Sequence, residues 1–88
     1  MNLEEAKLVI KDNQYRIGTK DEAGFSVDAI LAVPKKESLR DVFFKKYLET
    51  RDLDLAIIPL GNEEFEVWTI DLKHVYENGV LFYNKIAE

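Results

Sequence analysis

Asp54, Asp71 and Lys73 are the residues of this 88-residue chain whose types and spacing best suit chemistry. Two carboxylates a few ångströms apart hold Mg²⁺ through their oxygens. A lysine beside them stabilises developing negative charge or positions a water. The three meet if the chain from Asp52 onward folds as an antiparallel meander. Leu53–Leu60, Glu64–Lys73 and Val80–Ile86 read as strands, separated by Gly61-Asn62 and Asn78-Gly79. Both dipeptides suit tight hairpin turns that need positive φ. The first turn sets Asp54 opposite Thr69, and the second sets Lys73 opposite Asn84. Asp54, Thr69, Asp71, Lys73 and Asn84 then gather at one end of one sheet face. The plainer reading of the same cluster is the solvated end of a sheet.

Taken in order, Asp54-Leu55-Ala56-Ile57-Ile58 and Val67-Trp68-Thr69-Ile70-Asp71-Leu72-Lys73 resemble the core of the PD-(D/E)xK nuclease family. There an Asp opens one strand, a hairpin follows, and Asp-x-Lys closes the next strand. The resemblance implies metal binding by Asp54 and Asp71, with Mg²⁺ as the cofactor, and the catalytic lysine role for Lys73. It also implies a helix before the hairpin, with Glu49 as the nearby carboxylate. The family pattern continues with a helix and a strand, whereas the residues after Lys73 read as a hairpin return.

The other chemistry-bearing residues have structural readings. His74, the single histidine, falls opposite Tyr83 at the sheet margin, without the partners a triad or zinc site needs. Ser38 reads as a helix cap. Trp68 runs with Leu55 and Ile70 as core. Lys35, Lys36, Arg40, Lys45, Lys46 and Arg51 make a basic segment, but Arg40, Lys45 and Lys46 project in different directions from a helix. They read as a solvated surface rather than a phosphate-tracking stripe. Glu63, Glu64 and Glu66 are too few to imitate a nucleic-acid backbone. The four glycines form no phosphate-cradling pattern.

The elements that position these residues follow from periodicity. In the meander, one face carries Ala56, Ile58, Phe65, Val67, Val75 and Phe82 besides the polar cluster. The other carries Leu53, Leu55, Ile57, Trp68, Ile70, Leu72, Leu81 and Tyr83, the better core. A helix at about 38–50 offers the matching stripe through Leu39, Val42, Phe43 and Tyr47. Phe25, Val27, Ala29, Leu31 and Val33 alternate with other residues and read as a strand ending at Pro34, with a helix capped by Ser26 as the alternative. At the start, Asn2 and Glu5 match a helix capping box. A hairpin turning at Asp12-Asn13, with Leu8 opposite Ile17 and Ile10 opposite Tyr15, is the preferred reading.

Composition bounds the rest. The length allows one domain, 1–88, with no internal repeat or linker. Hydrophobic residues at 47% and charged ones at 33% fit a globular chain. The absence of cysteine excludes disulfides and thiolate zinc sites and is compatible with a reducing cytoplasm. The start has no secretory-signal layout, and no apolar run suffices for a membrane span. Scarce Gln, Met and Cys lean toward a thermophile composition. The net charge is −5: −2 over residues 1–34, +3 over 35–51 and −6 over 52–88. That acidity argues against nucleic acid as a partner.

The expectation is therefore an α+β fold: a mainly antiparallel sheet with a C-terminal three-stranded meander and one helix packed on it. The expected function is that of a small, non-enzymatic protein-interaction domain of the cytoplasm, without a cofactor. Either the N-terminal strands or a second subunit is expected to cover the face of Ile58, Phe65, Val67 and Phe82, with a homodimer preferred. The alternative is a minimal metal-dependent nuclease using Asp54, Asp71 and Lys73.

Overall fold

A computed structural model describes residues 1–22, 24, 26–71 and 83–88. The central element is a strand, β4, at Phe65–Ile70, lying between β3 at Ala29–Pro34 and β5 at Tyr83–Ala87. Both pairings are antiparallel. Every residue of β3 and β4 is buried, so this sheet is covered on both faces. The strands β1 at Thr19–Lys20 and β2 at Ser26–Val27 form a separate small antiparallel pair.

Three α-helices are present among the described residues, α1 at Leu3–Asp12, α2 at Arg40–Thr50 and α3 at Leu53–Ile57. The fold class is α+β, as the sequence indicates, but with three helices in place of one. In place of the expected N-terminal hairpin stand α1 and a 3₁₀ turn, Gln14–Arg16. Asn2 Oδ1 accepts the Glu5 N–H at 2.9 Å, and the Asn2 N–H donates to Glu5 Oε1 at 3.2 Å, completing a capping box. Two first-turn donors are thereby satisfied, which outweighs the apolar pairs a hairpin would offer.

Leu53–Leu60 also differs from expectation. These residues form α3 and a following 3₁₀ turn, Ile58–Leu60, rather than a strand. Asp52 caps α3 by accepting the N–H groups of Asp54 and Leu55. Leu53, Ala56, Ile57 and Leu60 recur at helical spacing and turn inward. Gly61-Asn62 is consequently no hairpin loop. Gly61 sits at φ 72°, ψ −151°, where essentially only glycine is comfortable, and it redirects the chain into β4. The place beside β4 that the first strand of the meander was to take belongs to β3, with Leu31 opposite Trp68 and Pro34 opposite Phe65.

The strand expected at 25–33 is confirmed as β2 and β3 over the described residues. The helix expected at about 38–50 is α2, preceded by a 3₁₀ turn, Glu37–Leu39. Ser38 lies within that turn and makes no cap. The turn at Asn78-Gly79 lies outside the described residues. The β4–β5 register differs from the expected one by four positions, with Thr69 rather than Lys73 opposite Asn84. Over Trp68–Ile70 this even shift leaves Tyr83, Asn84 and Lys85 on their expected faces, and a bulge between Val67 and Trp68 moves Ala87 by one position.

On one face of the sheet, Phe44 of α2 meets Trp68 with ring centroids 5.9 Å apart. Tyr83 stacks on Trp68 at 3.6 Å. Phe43, Phe44, Ile57, Trp68 and Ile70 belong to the buried core, with Leu39 half-buried against it. On the other face, Phe65, Val67 and Thr69 are also buried, and the Thr69 hydroxyl is hydrogen-bonded to Asp21 at 3.0 Å. The helix α1 touches β3 and β4. Phe65 and Val67 are thus covered within one chain, which removes the reason for invoking a second subunit there; Phe82 lies outside the described residues. Among the described residues, no helix is long and apolar enough to cross a membrane.

Candidate functional site

The turn between α2 and α3 builds the most distinctive surface. Arg51 closes α2 in the left-handed conformation, at φ 53°, and its N–H donates to the Tyr47 carbonyl. Asp52 then starts α3 at once, so the two helices pack against each other. Val42, Lys45, Lys46 and Glu49 stand at i, i+3, i+4 and i+7 on the outer side of α2. Leu55, Ile58 and Pro59 stand at i, i+3 and i+4 on α3 and its 3₁₀ extension. Together these residues line a groove of about 720 Å³.

The wall on the α3 side is wholly apolar. The α2 side is apolar at Val42 and then carries two lysines and one carboxylate. Large hydrophobic side chains lie open to water here: Val42 is 52%, Leu55 44% and Ile58 71% exposed. Lys45, Lys46 and Glu49 are exposed too, and among the described residues none of them joins an ion pair. The groove thus combines unburied apolar area with two uncommitted cations and one carboxylate.

The residues singled out from the sequence are placed differently. Asp54 lies in the first turn of α3, largely exposed, with one oxygen 2.8 Å from Lys7 Nζ. It is not on a strand beside β4, so the hairpin that carried the nuclease resemblance is not formed. Asp71 follows the last residue of β4. Lys73 and His74 lie outside the described residues. Thr69 is buried, and its partner across the ladder is Asn84. Glu49 faces the groove. Among the described residues, no three acidic or histidine side chains are grouped as a metal centre would group them.

The basic segment and the acidic triplet also divide. Arg40 turns inward, over the Trp68 ring at 4.8 Å, and donates to Glu66 at 2.8 Å. Glu66 is buried and accepts further hydrogen bonds from Lys85 Nζ at 3.0 Å and Trp68 Nε1 at 3.3 Å. Burial pushes its carboxyl up, but the bonds from Lys85 and Trp68 and the charges of Lys85 and Arg40 outweigh burial. Its pKa therefore lies below the ordinary glutamate value. Glu66 is a structural anion joining α2, β4 and β5, not part of a surface patch with Glu63 and Glu64. Lys45 and Lys46, read as pointing apart, share one groove.

Sequence reasoning missed the groove because it placed Leu55 and Val42 in the core and Ile58 on a strand. Two signals were available. Asp52 precedes an i, i+3, i+4, i+7 apolar set, and Pro59 within the run demotes it to an edge strand at best. No protein-family model, curated protein or solved structure matches the chain.

Proposed function

We propose that this protein is a small, non-enzymatic interaction domain whose contact surface is the α2–α3 groove. The observation that carries the reading is the groove itself, with Val42, Leu55, Ile58 and Pro59 held open to water on two rigid helical ridges. Exposed apolar area concentrated in one concave place is the usual mark of a binding surface. Its lining is too open to enclose a small molecule, whose surface a true pocket mostly buries. An elongated protein segment laid between two helices fits better. The lack of cysteine suits work in a reducing cytoplasm.

An unbiased peptide library selected on the whole protein tests this reading. Selected peptides should shift the amide resonances of Val42, Leu55 and Ile58, and Ile58→Glu should abolish their binding while leaving the melting temperature unchanged. Peptides that bind elsewhere, or no enrichment at all, would refute it.

A further inference from the structure

The groove's charge pattern narrows what fills it. The protein carries −5 overall, yet the segment 35–51 that supplies α2 carries +3. Arg40 and Lys85 are committed to Glu66, and Lys7 to Asp54. Lys45 and Lys46 are uncommitted among the described residues, and they stand one helical turn beyond the apolar Val42 on the same side of α2. Both lysines line the groove, and a lysine stem can cover apolar surface while its ammonium group stays in water. Opposite them runs the uncharged wall of Leu55, Ile58 and Pro59.

We infer, resting on the interaction reading above, that the occupant is an acidic amphipathic helix of a partner protein. Its apolar stripe lies against Val42, Leu55, Ile58 and Pro59, and its carboxylates flank that stripe on the side of Lys45 and Lys46. A second copy of this chain fits less well. A two-fold contact through this face sets two lysines and one glutamate against the same set, leaving an excess of like charge. A basic partner would meet the lysines directly.

The test uses two designed helical peptides with leucines at i, i+3, i+4 and i+7, one flanked by glutamates and one by lysines. The acidic peptide should bind the whole protein about tenfold tighter or more, because charge complementarity sets specificity. That advantage should collapse between about 0.1 M and about 1 M salt, where the screening length falls from roughly 10 Å to roughly 3 Å. Lys45→Glu combined with Lys46→Glu should reverse the preference. The peptide-side charge swap gives a result even if that variant folds poorly. Equal affinities, or tighter binding of the basic peptide, would overturn the inference. So would a concentration-dependent dimer in sedimentation that Ile58→Glu dissolves, since the occupant would then be a second copy. If library selection yields groove binders without acidic character, this inference falls and the interaction reading stands. If it yields no groove binders, both fall.

Discussion

The guanidinium of Arg40 and the buried carboxylate of Glu66 are 2.8 Å apart, and this pair ties the first turn of α2 to the middle of the sheet. Arg40 also donates through Nε to the Pro34 carbonyl, at 2.9 Å, and lies over Trp68. Removing one partner of a buried pair leaves the other charge uncompensated. Arg40→Met should therefore destabilise the fold by about 3 kcal/mol, the low end of the usual range because Lys85 still reaches Glu66. Adding Glu66→Met should recover part of that loss, since an apolar pair of similar volume has no desolvation cost. Urea denaturation of the two single variants and the double variant measures both effects.

The same carboxylate makes stability depend on acidity. Its folded pKa is depressed below the value of 4.5 that it regains on unfolding. The stabilisation is then complete above that value and is lost as pH falls through the lower, folded pKa. The stability difference between the native protein and Glu66→Gln should shrink over the window below 4.5 as the carboxyl takes up its proton. A difference that stays constant across that window would show that the carboxyl is not depressed.

Phe43 is fully buried, edge-on to Phe44 and stacked with Tyr47. Phe43→Ala should cost about 3–5 kcal/mol, a large share of a small domain's stability. Val42→Ala, one residue away on the exposed side, should cost less than about 0.5 kcal/mol. Thermal melts of the pair check that the core and the groove lie on opposite sides of α2.

Two backbone positions should respond in opposite directions. A Cβ at Gly61 would meet nothing within 4 Å, so Gly61→Ala is opposed by backbone conformation alone. It should still destabilise by about 1–3 kcal/mol. Arg51 is the one non-glycine residue at positive φ among the described residues, and Arg51→Gly should stabilise by roughly 0.5–1 kcal/mol. Chemical denaturation midpoints decide both signs.

Metal titration addresses the alternative drawn from Asp54, Asp71 and Lys73. Addition of Mg²⁺ or Mn²⁺ is expected to leave the melting temperature unchanged, since an ion held by the native state alone would raise it. A clear rise lost in Asp71→Ala would reinstate a metal site at the end of β4.

The sequence revealed what depends on local patterning and concealed what depends on tertiary competition. The alternation through Val27–Val33, the stripe of Leu39, Phe43 and Tyr47, and the β-rich run at β4 each specify their element. Asp52-Leu53-Asp54-Leu55 alternates as a strand does, while Leu53, Ala56, Ile57 and Leu60 also fit a helix. Only the capping geometry and the prior claim of β3 on the edge of β4 decide between them. The candidate site was hidden for the same reason: Leu55 and Ile58 face water only once residues 53–60 are helical. The partner of Glu66 was equally out of reach, because nothing in the sequence spacing says that Arg40 folds inward.

Pro34 and Phe65 lie opposite each other, and the Lys35 N–H donates to the Glu64 carbonyl at 2.9 Å. Residues 35–64 therefore leave the sheet and return to it at one point. The central ladder cannot zip until that long excursion has closed on itself, and its closure entropy falls on the folding rate. Helices α2 and α3 pack against each other, and pairing of the two ahead of the ladder would shorten the excursion. A substitution that loosens the turn at Arg51-Asp52 should then slow refolding in stopped-flow measurements as well as reshape the groove. The surface offered to a partner and the speed at which the chain reaches its native state hang on the same turn.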